Sequence, residues 1–359
     1  MLRASASSSN AQFTRRHWRL ARSSRIRAMR YDLTCGWVNH RSARILHEIR
    51  MTNSQPRTPD PEPSNPPPRV SVIIPTYNCG SYLAEAINSA LAQDYGDMQI
   101  VVADDGSTDE TSDVLAKYEG KITTVQSDHA GAAAARNGAI EHATGSLLAA
   151  LDADDIWLPG KVTRQVAAMA EHPDAAVCHT GAEMFGTETG DGPMVHDVRK
   201  RIQGDCFDAL FDRNGIITST AMIRRSAIPA CGFHDDLRTA EDYTWFLMIL
   251  FGREAVYLPD VYLHYRRRPG QLTGDGSKRA QVDAGIGRLR TLDMYADRMP
   301  ADQLEHRRAS AIDELSTCTY SRYWNGDYKT ATLGFAELLR RGRTIPWRHR
   351  ARTRIGCWG

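Results

Sequence analysis

The chain has 359 residues and a mass of 40.0 kDa, with 45 Lys and Arg against 43 Asp and Glu for a net charge of +2. So even a balance leaves no electrostatic footprint for nucleic acid, and the length allows one full α/β core with an appended helical region. The cysteines (Cys35, Cys79, Cys178, Cys206, Cys231, Cys318 and Cys357) are scattered without a C-x-x-C spacing, so neither a zinc site nor a disulfide framework is indicated and a reducing cytoplasm fits best.

In chain order, residues 1–50 read as a disordered extension outside the fold. Arg15, Arg16, Arg19, Arg22, Arg25, Arg27 and Arg30 crowd a Ser-rich, nearly acid-free stretch without the apolar segment of a secretory signal. Met51 opens a Pro-rich leader, 51–69, and is a candidate start of translation. Structure is expected from Val70. Val70-Ser71-Val72-Ile73-Ile74-Pro75 is a β-branched apolar run broken by Pro75, Asn78 and Gly80. A helix follows from about Tyr82 to Ala92. The second strand, Ile100 to Ala103, is stopped by Asp104-Asp105-Gly106-Ser107. A second helix is expected over Asp109 to Tyr118, with Ser107 or Thr108 as cap. Ile122 to Val125, a helix over Ala132 to His142, and Leu147 to Leu151 complete the alternation. Strand and helix in turn predict an α/β fold with a mostly parallel sheet flanked by helices. In such sheets ligands lie beyond the carboxyl ends of the strands. Three loops, after Pro75, at Asp104–Ser107 and at Asp152–Asp155, are therefore expected to converge on one crevice.

The fourth strand ends in Asp152-Ala153-Asp154-Asp155. Side chains alternate along extended backbone, so Asp152 and Asp154 share a side with the small Ala153 turned away. Carboxylates this close repel one another unless a cation or hydrogen-bond donors offset the charge. Hard oxygen ligands of this kind suit Mg²⁺ or Mn²⁺, completed by substrate phosphates and water. No G-x-G-x-x-G follows a strand and no P-loop is present.

Val70–Asn78 (VSVIIPTYN), Ala103–Asp109 (ADDGSTD), Gly131–Gly138 (GAAAARNG), Leu151–Trp157 (LDADDIW) and a later Glu241-Asp242 resemble, in order and spacing, the motifs of family 2 glycosyltransferases with the GT-A, Rossmann-like fold. The resemblance implies a glycosyltransferase domain over 70–270 holding a nucleotide-sugar, a UDP-sugar, over the strand ends. Pro75 and Tyr77 would shape the base pocket, Asp104 would accept hydrogen bonds from the base, and Asp105 would lie near the ribose. Arg136 would grip the diphosphate or nucleotide, Asp152 would bond the ribose hydroxyls, and Asp154 would coordinate the metal. Asp155 would support either neighbour or cap the next helix. Glu241 would belong to the donor site, and Asp242 would be the catalytic base of an inverting displacement. One departure stands out: relatives often carry a histidine just before Pro-Gly, where this chain has Arg268, which cannot ligate a metal but can pair with phosphate. No Q-x-x-R-W element follows the base, which favours a single transfer over processive synthesis.

Residues 271–359 read as a helical C-terminal region. Ile286, Leu289, Leu292, Met294 and Tyr295 form one expected apolar stripe, and Asp327 to Leu339 a further helix. The tail from Arg340 mixes arginines with Trp347, Ile355 and Trp358, a composition suited to an anionic membrane surface. No run approaches the length of a spanning helix, so a cytoplasmic enzyme with peripheral contact to the membrane's inner face is expected. Its acceptor would then be a glycan or lipid-linked hydroxyl of cell-surface polysaccharide or glycolipid synthesis. Two other classes remain open on the residues: a sugar-phosphate nucleotidyltransferase, whose Gly-rich basic loop Thr76–Gly80 does not supply, and a catalytically silent carbohydrate-binding protein.

Overall fold

The computed structural model describes residues 66–186, 192–193, 202–268, 271 and 277–353. The expectations for residues 1–50, for the leader up to 65 and for the tail beyond 353 fall outside them. The four expected strands form as β1 (Val70–Thr76), β2 (Met98–Asp104), β3 (Thr123–Gln126) and β4 (Leu147–Ala150). They lie side by side in the order β3-β2-β1-β4, all parallel. β1 and β4 are almost wholly buried, which is why their sequences are continuous apolar runs rather than alternating ones. Register pairs Thr76 with Asp104, and the Leu151 amide donates to Ile73 O just past the end of β4. One sheet edge thus carries Asp104, Asp105 and the Asp152–Asp155 turn.

The crossovers run through α1 (Gly80–Leu91), α2 (Thr111–Ala116) and α3 (Ala132–His142). The second helix is shorter than its sequence pattern suggests. Asp109 stays outside it, because its carboxylate accepts from the amides of Thr111 and Gly80, 3.0 Å each, and so ties the starts of α1 and α2 together. Beyond β4 the sheet becomes mixed. It is extended by β5 (Ile156–Trp157), β6 (Ala175–Gly186), β7 (Gly192–Pro193), β8 (Gly204–Asp205), β9 (Met222–Arg224) and β10 (Glu254–Arg267). β9 runs antiparallel between β4 and β6, and β10 lies parallel to β6. Helices α4 (Lys161–Glu171), α5 (Phe207–Asp212) and α6 (Glu241–Leu250) belong to this half.

In α6 every residue except Asp242 is buried. The C-terminal helices explain this: α7 (Ser277–Met294), α8 (Ala301–Trp324), α9 (Tyr328–Arg340) and α10 (Trp347–Thr353) form a layer, and α7 packs on α6. A β-carbon at Gly287 would lie 2.0 Å from Thr244 Oγ1, so the bare backbone lets α7 approach α6 closely. Val282, Ile286, Leu289 and Leu292 form the buried stripe, but Met294 does not join it and is 42 % exposed. Two residues beyond Leu292 put Met294 about 200° further round the helix, on the solvent side. Asp327 caps α9 by accepting from the Thr330 amide at 3.1 Å. Among the described residues no helix is long and apolar enough to cross a membrane.

Candidate active site

The crevice over the strand ends has an aromatic edge and an acidic interior. At the edge, Tyr77 is 41 % exposed and stacks on His129, ring centroids 4.1 Å apart. Asn78, in the left-handed region at φ 50°, accepts from the Thr108 amide, 2.8 Å, and its own amide donates to Ser107 Oγ, 2.9 Å. The loops after β1 and β2 are thereby joined. Asp104 is buried, with Oδ1 accepting from the amide and hydroxyl of Ser107; among the described residues nothing donates to Oδ2. Asp105, expected near the ribose, is buried beside Asp104. Both its oxygens are committed, to Ser127 Oγ at 2.9 Å and to the amides of Ala130 and Gly131 at 2.8 Å each. It therefore positions the loop that presents His129 and starts α3.

Arg136, expected to grip the diphosphate or nucleotide, is buried. Its guanidinium is buried between two carboxylates, with Nη2 2.7 Å from Asp152 Oδ1 and Nη1 2.6 Å from Glu241 Oε1, and lies over the Phe233 ring. Burial pulls its pKa down, but the neighbouring Asp152 and Glu241, with Asp242 behind them, outweigh this and raise it. The guanidinium joins the end of β4 to the start of α6. Burial pushes the Glu241 carboxyl up against the downward pull of Arg136, and Asp242 adds to the rise. Asn137, next on α3, exchanges hydrogen bonds with the backbone of Phe233, 2.9 and 2.8 Å, and is structural.

A short 3₁₀ turn, Thr218–Thr220, holds both acidic groups. Thr218 Oγ1 donates to Asp242 Oδ2 at 2.8 Å, and the Asp152 amide donates to Ser219 Oγ at 3.0 Å while that hydroxyl donates to Asp155. The sequence reading missed these residues; the only signal was a polar Thr-Ser-Thr within an otherwise apolar stretch. Asp155 is buried and also accepts from the Arg266 amide, 3.0 Å. Burial, then Asp152 and Asp154, push its carboxyl well above the usual carboxylate range. It supports its neighbours rather than capping a helix.

Asp154 faces the crevice. Its Oδ2 accepts from Arg268 Nε at 2.8 Å and Gln271 Nε2 at 3.2 Å, while among the described residues Oδ1 has no donor. Among them, too, no three His, Cys, Asp or Glu side chains form a cation cage. One free carboxylate oxygen at a strand end fits Mg²⁺ or Mn²⁺ when a diphosphate and water complete the shell, and does not fit an ion held by protein alone. Beneath this layer, Lys161 is fully buried at the start of α4. Its Nζ donates to Gln165 Oε1 at 2.7 Å and lies 4.1 Å from the Trp157 ring centre, and Trp157 Nε1 donates to Ser219 O at 2.8 Å.

Residues 71–231 match the model of the family described as "Glycosyl transferase family 2". TuaG of Bacillus subtilis, a glycosyltransferase whose name assigns it to teichuronic acid biosynthesis, is 31 % identical over 204 residues, 55 % of this chain and 79 % of that protein. The chain belongs to glycosyl transferase family 2. Another member, the Escherichia coli UDP-Glc:alpha-D-GlcNAc-diphosphoundecaprenol beta-1,3-glucosyltransferase WfaP, is 39 % identical over 99 residues, 27 % of this chain and 39 % of WfaP. This family 2 chain spans about a third of the length of several curated relatives it matches. Its fold is that of TarS 1–349 from S. aureus, with a TM-score of 0.55 at 19 % identity over 79 % of this chain and 82 % of that one. The family match stops at 231, so Glu241, Asp242 and Arg268 lie beyond it.

Proposed function

We propose that this chain is an inverting glycosyltransferase that moves a sugar from a UDP-sugar to a hydroxyl of a glycan or lipid-linked acceptor, in cell-surface polysaccharide or glycolipid synthesis. The observation that carries the reading is the meeting of the Asp152–Asp154 turn with the Glu241-Asp242 helix start through Arg136, at the strand ends that also present Tyr77 and Asp104. Two likenesses support the donor and acceptor classes: TarS 1–349 was crystallised with UDP-GlcNAc, and WfaP is named for a UDP-glucose donor and a diphosphoundecaprenol acceptor.

In this reading Pro75, Tyr77 and His129 receive the base, and Asp104 Oδ2 accepts from it. Asp152 offers its second oxygen to the ribose, with Arg136 and Glu241 holding it in place. Asp154 Oδ1 holds the cation, and Arg268 faces the diphosphate. Bound Mg²⁺ or Mn²⁺ would supply neutralisation of the leaving diphosphate. Asp242 takes the acceptor's hydroxyl proton as the oxygen bonds to the anomeric carbon and the bond from that carbon to the diphosphate oxygen breaks. One displacement inverts the anomeric centre. The reading is tested by calorimetry with UDP and a panel of nucleotide sugars in the presence of Mn²⁺. UDP is expected to bind to the intact chain, and Asp154→Ala to lose the Mn²⁺-dependent part while melting at the wild-type temperature. Absence of binding by any nucleotide sugar would remove the transferase reading.

A lipid-linked acceptor calls for membrane contact. Trp324 and Trp347 are 68 % and 81 % exposed, and Arg343, Arg348 and Arg352 are exposed around them. Each such arginine contributes about 1 kcal/mol near an anionic surface. The intact chain is expected to sediment with phosphatidylglycerol vesicles at low salt and to be released at high salt, and Trp347→Ser with Arg348→Gln to weaken the association. Equal recovery in the supernatant with and without vesicles would leave a water-soluble acceptor.

A further inference from the structure

Three arginines approach the acidic crevice, and two are locked. Arg136 is enclosed between Asp152 and Glu241. Arg266 donates to Asp154 O and Glu85, each 2.8 Å, and is held between the rings of Tyr82 and Phe185. Arg268 differs. Its Nε is on Asp154 Oδ2, its Nη2 is 3.3 Å from Cys79 Sγ, and its guanidinium lies 5.0 Å from the Tyr82 ring centre, yet among the described residues Nη1 has no acceptor and the side chain is 21 % exposed. The most exposed of the three crevice arginines therefore sits on a carboxylate whose free oxygen suits a cation.

Two cations cannot share that carboxylate without strong mutual repulsion. A diphosphate changes the balance, because its oxygens can pair with a guanidinium and ligate a metal at once. We infer that Arg268 is a built-in competitor for divalent metal at Asp154: it holds the carboxylate while no donor is bound and shifts to the diphosphate when donor and cation enter together. Cation loading is thereby coupled to the nucleotide, and the chain keeps Asp154 neutralised between turnovers without retaining an ion. The inference rests on the placement of the donor diphosphate proposed above.

The test is Mn²⁺ binding to the full chain, read by electron paramagnetic resonance of free Mn²⁺, with and without UDP. Wild type alone is expected to bind Mn²⁺ weakly and to tighten by about 30-fold or more when UDP is present, with UDP affinity rising by the same factor on adding Mn²⁺. In Arg268→Gln, Mn²⁺ binding without UDP is expected to tighten about tenfold and the coupling to shrink. Asp154→Asn removes the Mn²⁺ site in either background. Equal Mn²⁺ affinity of wild type with and without UDP overturns the inference, as does an Arg268→Gln variant whose UDP-free Mn²⁺ affinity is unchanged. The wild-type arm needs no variant to fold. Failure of UDP to bind in any condition strikes instead at the proposed donor, while the UDP-free comparison of wild type with Arg268→Gln still decides the competition for Asp154.

Discussion

Asp242→Asn is expected to lower turnover by about 10² or more while leaving UDP-sugar affinity within a few-fold. Asp242 is the one residue of α6 that is not buried, and it stands at the helix start beside Glu241, with Thr218 donating to one oxygen and the Tyr243 amide, 2.7 Å, to the other. Asparagine retains the oxygen that receives the Tyr243 amide and can donate to the Thr218 hydroxyl, so the helix start survives. What it cannot do is accept a proton. Initial rates of donor hydrolysis or transfer, alongside calorimetric donor affinity, separate the roles. If donor binding collapses while turnover of the bound fraction holds, Asp242 is a ligand or a cap and the base lies elsewhere.

Lys161→Met is expected to stabilise the fold, on the order of 2 kcal/mol near neutral pH. The lysine is buried without an ion pair among the described residues, and its position at the N-terminus of α4 sets a positive charge against the helix dipole. Burial lowers its pKa to about 7 from 10.5, with Cys178 opposing weakly. The sign follows from proton counts. Between about pH 7 and about pH 10.5 the unfolded chain binds a proton that the folded chain does not, so wild-type stability rises with pH across that window. Below the window both states are charged and the burial cost is at its full value; above it the cost is gone. Methionine removes the charge and keeps the volume, at the loss of the Gln165 hydrogen bond. Melting temperatures of both proteins from about pH 6 to about pH 10 check this. A variant that melts lower throughout, or with the wild-type slope, would show that Lys161 stays charged in the folded chain at little cost.

Why β1, β2 and β4 were legible is plain in their composition: each is an apolar run stopped by Pro, Gly or Asp, whereas the polar, largely exposed β3 was placed by its β-branched residues and by the alternation with helices. β9 and β10 were not legible, because Met222–Arg224 is too short to show a period and Glu254–Arg267 is irregular, shifting register against β6. The same boundary divides the site. Asp104, Asp152, Asp154 and Asp242 lie at element ends that a local pattern reveals. The environment of Arg136 depends on acids 16 and 105 residues away, and the support of Asp242 on a hydroxyl 24 residues upstream. Such pairings leave no local trace, so a residue can be placed at the crevice correctly while its partner there stays unseen.

The burial of α6 at every position but Asp242 has a consequence for how this chain can be divided. Its outer face is covered by α7, with Gly287 against Thr244, and Thr239 donates to Asp283 of α7 at 2.8 Å just before the helix begins. The helical layer is thus the mount of the Asp242 helix rather than an accessory placed beside a finished catalytic domain. A fragment cut at the end of the family match would carry Asp104, Asp152 and Asp154 and lack Asp242, the proton acceptor proposed above. Exchange of the segment 239–250 between relatives would have to move its covering helices with it as one block.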